Sequence, residues 1–361
     1  MSEAMPSAQS VAIAGGGIIG LTIAWRLAQL GLAVTVYDKG APGGEASWAG
    51  AGMLAPGGEF DAISELAALA LESRRLYPGF VRKLEEASRR PIDFQERGAL
   101  DLAYSSAELA SLESRAAAQQ RLGIPSKPLT PSQVATFWPH IRKSGLAGAR
   151  FYRQDAIVDP RHLVTALMEV CRKSNIILMP DCPVERVSVG GAGVRFHTSQ
   201  GVSDCDFAVI AAGAWSSSLD VEGVPALPRC EPVRGHLIAY QQPAHTCETI
   251  VRHGHTYLLQ RANGLLIAGA SAERVGFVRD IDPSAVGALA SEASFVFPHL
   301  AETSPAETWV GFRPLSDSVH LGAWHSPRLL LAYGHYRNGI LLAPVTAARI
   351  AAAVNASSRT Q

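Results

Sequence analysis

The apolar positions of this chain change period along its length, and the changes mark out its elements. Residues 10–14 (SVAIA) and 34–38 (VTVYD) are short runs of strand type, and between them apolar residues recur at helical spacing from about Ile18 to Leu30. Gly31 follows where a helix end favours a left-handed residue. The same β–α alternation returns later. Asp159 offers a side-chain cap, Pro160 takes the first helical position, and an apolar-periodic helix continues through VTALMEVCRK. NIILMPDCPVERVSV follows it, and DFAVIAAGAW then reads as a buried strand running into Gly213. HGHTYLLQRANGLLIAGA has a different rhythm: two apolar runs about Asn263-Gly264 predict a hairpin in a separate, mostly antiparallel sheet. A last helix is expected to begin near Ile340, and only residues 1–9 and 355–361 read as frayed ends.

The first strand–helix–strand unit carries G-x-G-x-x-G, and each glycine has its own role. Gly15 permits the tight turn out of the strand, and Gly17 has no side chain to keep a pyrophosphate from the helix N-terminus. Gly20 lets the helix approach the sheet, with Ala24 keeping that face small one turn later. Asp38 ends the second strand, where a carboxylate accepts from both ribose hydroxyls of an adenosine and disfavours a 2′-phosphate. This unit predicts a dinucleotide site for FAD or NAD and leaves the choice open. The next stretch, GGEASWAGAGMLAP (43–56), is too rich in small residues for an ordinary crossover helix and suits close backbone approach to a flat ring and its phosphates.

Composition narrows the picture only slightly. The 361 residues carry no formal net charge, which gives no global attraction to nucleic acid or anionic membrane. Cys171, Cys182, Cys205, Cys230 and Cys247 are scattered and form no C-x-x-C pair, so they read as thiols of a reducing, cytoplasmic setting without a metal or redox role. His253 and His255 are two apart, yet no third ligand stands near them in sequence, and no metal is expected. The apolar stretch from Val11 to Val34 contains Arg26 and Gln29 and lacks a basic leader, so no membrane span is expected there.

In order along the chain stand GGGIIG, GGEASWAGAGMLAP, DAIVDPRHLVTAL, FAVIAAGAWSS, VGFRP and GHYRNGILLAP. Together these resemble the D-amino-acid oxidase group of flavoproteins, and within it the bacterial glycine oxidases of thiamine biosynthesis. The resemblance runs from about residue 10 to 350. It implies an α/β, Rossmann-like FAD-binding domain that is discontinuous (1–85, 150–225 and 305–361), joined to an α+β substrate-binding domain (86–149 and 226–304). It also implies oxidative deamination of glycine, sarcosine or D-alanine, with O2 reduced to hydrogen peroxide and no acid–base pair required. A homo-oligomer is expected on the same ground. A dehydrogenase of the same fold using a quinone is the alternative. A flavoprotein acting on tRNA is less favoured because the chain is neutral.

Site residues follow from the matching motifs. Arg313 in VGFRP matches the clamp for the substrate carboxylate, Tyr257 the tyrosine that helps anchor it, and Arg337 and Met53 further substrate contacts. For FAD the resemblance implies Gly15, Gly17, Ile18, Ile19 and Gly20 at the first turn, and Asp38 and Lys39 at the ribose. Ala46, Ser47, Ala51, Gly52 and Met53 would lie around the phosphates and ring, Val184 at the adenine, and Gly213 at the end of its strand. His335, Tyr336, Arg337, Asn338, Gly339, Ile340 and Leu341 would cradle the flavin pyrimidine. The covalent-flavin cysteine of sarcosine oxidases is absent from PLSDSVHLG, so the FAD is expected to be non-covalent. The same stretch reads as a shortened loop with His320 where the group tends to have proline.

Overall fold

A computed structural model describes residues 8–358; the rest of the two frayed ends lies outside the described residues. Strand β1 (Ser10–Ala14), helix α1 (Ile18–Ala28) and strand β2 (Ala33–Tyr37) form the expected opening unit. The helix stops two residues before Leu30 because the chain turns at Gly31 (φ +84°), whose N–H donates to the Ala28 carbonyl at 3.0 Å. Pro160–Lys173 is the second expected helix, with the Asp159 carboxylate accepting from Arg161 N–H at 2.9 Å. The predicted hairpin joins Thr256–Gln260 to Leu265–Gly269 through Gly264 (φ +87°).

Five strands pair in parallel in the order Leu329–His335, Phe207–Ile210, β1, β2, Ile177–Met179. Their two faces have different partners. Val11 and Ile13 pack with α1, the long helix Glu65–Ser88 and the last helix Gly339–Ser358, whereas Ala12 and Ala14 pack on Val187, Val194 and Phe196 of a small four-stranded sheet.

The expected separate antiparallel sheet is corrected: parallel and antiparallel strands form one 13-stranded sheet. The reason is Glu307–Ala323, a 17-residue strand pairing antiparallel with Leu329–His335 on one edge and with Glu231–Gln241 on the other. From Glu231–Gln241 the sheet continues through Leu265–Gly269, Thr256–Gln260, Ile250–His253, Ala99–Ala103, Gly148–Tyr152 and Lys127–Leu129. What reads in sequence as a shortened loop after Arg313 belongs to this long strand, with a register shift between Leu315 and His320.

The last helix also differs from expectation. A 3₁₀ turn, Tyr336–Asn338, leads into Gly339, and the helix runs to Ser358, past the point where fraying was expected at 355. Among the described residues this is the helix long and apolar enough to cross a membrane, yet 56% of that stretch is buried inside the protein, with Val345, Ile350 and Val354 fully enclosed. Its apolar length serves the core.

Candidate cofactor and substrate site

A cavity of about 1040 Å³ opens at the C-terminal ends of the parallel strands and extends beneath the antiparallel ones. Gly15, Gly17, Ile18 and Ile19 follow β1 into its wall; Asp38 and Lys39 follow β2; Gly213 follows Phe207–Ile210; His335 to Ile340 follow Leu329–His335. Ala46, Ser47, Ala51, Gly52, Met53 and Val184 complete this half, and Tyr257 and Arg313 line the other. Two expected residues are absent from the wall. Gly20 is a packing glycine: a Cβ there would lie 1.9 Å from the Gly15 carbonyl oxygen. Leu341 points into the core, and its carbonyl accepts from Ser73 Oγ at 2.6 Å.

The small residues of 43–56 turn out to have two roles. At Gly50 and Gly52 the room is already taken by the protein, since a Cβ would meet Ile340 Cδ1 at 2.5 Å and the Val158 carbonyl oxygen at 1.8 Å. Gly17 and Gly339 are different. Both line the cavity, and a Cβ on either would come no nearer to another residue than 3.3 Å and 3.8 Å respectively. The Gly17 contact, with Ser47 Oγ, is already tight, whereas at Gly339 it is ordinary, and the smallness of Gly339 answers to the space of the cavity.

Polar groups at the β1–α1 end are tied to the protein's own backbone. Ser47 Oγ accepts the Ile18 N–H at 2.9 Å, fixing the head of α1. The Asp38 carboxylate accepts Gly16 N–H at 2.7 Å and Gly40 N–H at 2.9 Å, one on each oxygen, so each oxygen keeps accepting capacity. Burial raises the Asp38 pKa above its ordinary value, against the pull of those amides and of Lys39. The Lys39 ammonium stands 3.2 Å over the Trp215 ring and pairs with Glu45 at 3.3 Å.

At the other end three arginines surround one carboxylate. Glu59, closing the short helix Pro56–Glu59, pairs with Arg337 at 2.9 Å. Burial raises the Glu59 pKa, and Arg337, Arg252 and Arg313 oppose that rise. Arg252 is occupied elsewhere, by the buried carboxylates of Asp101 and Asp155. Arg313 donates to the neutral carbonyl of Ser271 at 2.9 Å. Its guanidinium occupies the place of a Cβ at Gly235, which stands diagonally across the strand pair from it. Gly269, directly opposite Tyr257, likewise makes room for the phenol, which burial pushes up to a pKa of about 12.

Glu59, Arg252, Ser271, Trp215 and His255 line the same cavity and were not singled out for it from sequence. They come from turns, short helices and short strands, where no periodicity or motif flags them. The two histidines noted in sequence part company. His255 is on the cavity wall, while His253 ends its strand and stacks on Phe295, 5.1 Å between ring centres. His320 pairs with Ser316 Oγ at 2.8 Å and is off the wall. Among the described residues no group of three or more side chains could hold a metal.

Comparisons with known proteins agree with this architecture. Residues 10–353 match the family model DAO, described as FAD dependent oxidoreductase. The chain is similar to a glycine oxidase of Geobacillus kaustophilus, 31% identical over 94% of this chain and 91% of that one. It is also similar to a bifunctional protein ThiO/ThiG of Synechocystis, 33% identical over 96% of this chain but only 51% of that protein. The crystal structure of the Geobacillus kaustophilus glycine oxidase superposes with a TM-score of 0.90 at 30% identity, covering 97% and 95% of the two chains. An L-proline dehydrogenase from P. horikoshii shares the fold, with a TM-score of 0.84 at 22% identity. The family match spans both halves of the sheet and the cavity they enclose, and the chain belongs to the DAO family of FAD-dependent oxidoreductases.

Proposed function

We propose that this enzyme oxidises the carbon–nitrogen bond of a small amino acid, glycine first and sarcosine or D-alanine next, and passes the electrons to O2 as hydrogen peroxide. The observation that carries the reading is Arg313. Its guanidinium stands on the cavity wall over Gly235 and is held by a neutral carbonyl, so its charge is available to an incoming carboxylate. The likeness to glycine oxidases gives that carboxylate its most economical owner.

The wall fits FAD on its own geometry. Gly339 leaves open the space that a Cβ would fill at the head of the last helix, Gly17 brings bare backbone to the wall at the head of α1, and both helix dipoles favour negative charge there. Gly17, Ile18 and Ile19 would meet the pyrophosphate, Asp38 and Lys39 the ribose, Val184 the adenine, and His335 to Ile340 the ring. All five cysteines are buried and none lines the cavity, which supports non-covalent binding. When bound, FAD supplies a ring that takes a hydride equivalent from the carbon carrying the amine. Arg313 and Tyr257 then orient the substrate. The arginine holds the carboxylate, and the phenol, protonated well beyond neutral pH, donates to it. The division into an FAD-binding unit (1–85, 150–225, 305–361) and a substrate-binding unit (86–149, 226–304) belongs to this proposal, as does a role in making the thiazole of thiamine.

Anaerobic addition of glycine to the purified yellow protein should bleach the flavin, and air should restore the colour with release of peroxide. A colourless protein, or a flavin that no small amino acid bleaches, would refute the reading. Bleaching that persists in air would transfer the electrons to another acceptor.

A further inference from the structure

Between Leu265–Gly269 and the helix Pro283–Val296 the chain crosses back toward the mouth of the cavity as residues 270–282, tied to the sheet by a single bridge, Arg234 to Glu273. One imidazole holds both ends of this strap. His236, fully buried in the middle of Glu231–Gln241, accepts the Asp282 N–H on Nε2 at 2.9 Å. A ring nitrogen that accepts from an amide carries no proton, so the proton of the neutral ring is on Nδ1. Nδ1 lies 3.0 Å from Ser271 Oγ and 3.0 Å from Glu273 Oε1, at the start of the strap. The backbone N–H of His236 also donates to Ser271 Oγ, at 2.9 Å. Arg234 completes the latch, donating to Glu273 Oε2 and, at 3.0 Å, to the Asp280 carbonyl.

Ser271 is the point where this latch meets the site. Its side chain is bonded to His236 and also to the Glu273 carboxylate, and its carbonyl accepts from Arg313 Nη1. We infer that His236 is a positioning residue for substrate binding: as the Nδ1–H tautomer it fixes Ser271, and through the Ser271 carbonyl it sets the direction of the Arg313 guanidinium. This rests on the reading of Arg313 as the carboxylate clamp. His236 itself is absent from the cavity wall, so its effect must pass through the strap. A planar fork aimed wrongly by a fraction of an ångström loses one of its two parallel bonds to a carboxylate, which corresponds to about tenfold in affinity.

The test uses the flavin-loaded enzyme, with acetate as an unreactive carboxylate read by its perturbation of the flavin spectrum and glycine as substrate. His236→Gln keeps an acceptor near the Nε2 position, whereas His236→Asn keeps a donor near Nδ1. The Gln variant should weaken acetate binding and raise the glycine KM about tenfold, with kcat changed less than about threefold. The Asn variant should recover most of that loss. Ser271→Ala removes the hydroxyl's bonds to His236 and Glu273 while leaving the carbonyl, is the milder change should the histidine variants not fold, and should raise KM several-fold. Unchanged acetate affinity and KM in Ser271→Ala, or an Asn variant no better than Gln, overturns the inference. Arg313→Gln separates the two levels. Acetate binding that survives this change sinks the clamp itself, while binding lost here but untouched in the Ser271 and His236 variants sinks only the role of His236.

Discussion

Gly339→Ala separates what the protein needs from what its ligand needs. Gly339 has ordinary helical geometry (φ −56°, ψ −41°), so nothing in its backbone demands glycine. The nearest atom an added Cβ would meet is His335 Cβ at 3.8 Å, an ordinary contact. Without cofactor, then, alanine should stabilise the protein by about 0.5 kcal/mol, since glycine in a helix costs up to about 1 kcal/mol relative to alanine. With cofactor the sign reverses. The methyl would enter space that the bound ring needs, and overpacking of a fitted contact costs about 1–3 kcal/mol, or about 5- to 150-fold in the FAD dissociation constant. Two measurements on flavin-stripped protein decide it: the apo melting temperature, expected equal or about a degree higher, and FAD binding followed by loss of free-flavin fluorescence. Gly20→Ala is the control with the opposite pattern, because its Cβ would overlap the Gly15 carbonyl and destabilise the apo protein directly. If Gly339→Ala binds FAD as tightly as the parent, no flavin approaches that residue closely, and the assignment of 335–340 to the ring is wrong.

Two further outcomes follow from groups around the same cavity. Burial, and to a lesser degree His320, lowers the His335 pKa from 6.5 to about 4, so the unfolded chain takes up this proton first as pH falls. The stability this histidine contributes is therefore complete above about pH 6.5 and is lost toward pH 4, on the order of 3 kcal/mol in total; urea midpoints at pH 7.5 and 5 should differ less in His335→Gln, and an equal difference in both proteins would refute the assignment. Gly235→Ala puts a methyl where the Arg313 guanidinium now lies, and should raise the glycine KM about tenfold while flavin stays bound; an unchanged KM would show that Arg313 can hold a carboxylate from elsewhere.

Local signals carried much of the architecture. The β1–α1–β2 unit, the Asp159-capped helix and the Asn263-Gly264 hairpin are each specified within a few residues by periodicity, caps and turn chemistry, and all three form where the sequence puts them. Contacts between distant segments were not legible. Gly50 and Gly52 line the cavity, yet that their Cβ side is filled by Ile340 and Val158, far along the chain, could not be read locally. Glu59 and Ser271 acquire meaning only beside Arg337 and Arg313, and no pattern in PGGE or ASAER announces those meetings. The union of the two sheets escaped sequence reading for a similar reason: strand pairing at both edges of Glu307–Ala323 depends on one partner far upstream and another immediately after it, and its bulge at 315–320 resembles a loop.

That strand limits how the enzyme can move. Nine consecutive residue pairs, from Glu231↔Leu315 to Ala239↔Glu307, bolt the antiparallel half to the strand, and Leu329–His335 bolts the parallel half to its other edge. The unbroken nine-pair ladder has no hinge, so the antiparallel half cannot swing away from Glu307–Ala323 to admit a substrate without breaking backbone hydrogen bonds; the one irregularity, between Leu315 and His320, lies on the other edge. Access is left to side chains and short connections at the mouth: the Arg337–Glu59 pair, the strap over residues 270–282, and the Arg279–Glu45 bridge at 2.6 Å. Arg313, in the third pair of that ladder opposite Val233, is a fixed post. Turnover should accordingly be governed by gating at the rim rather than by domain closure, and substrates should be sorted by size before they reach the guanidinium.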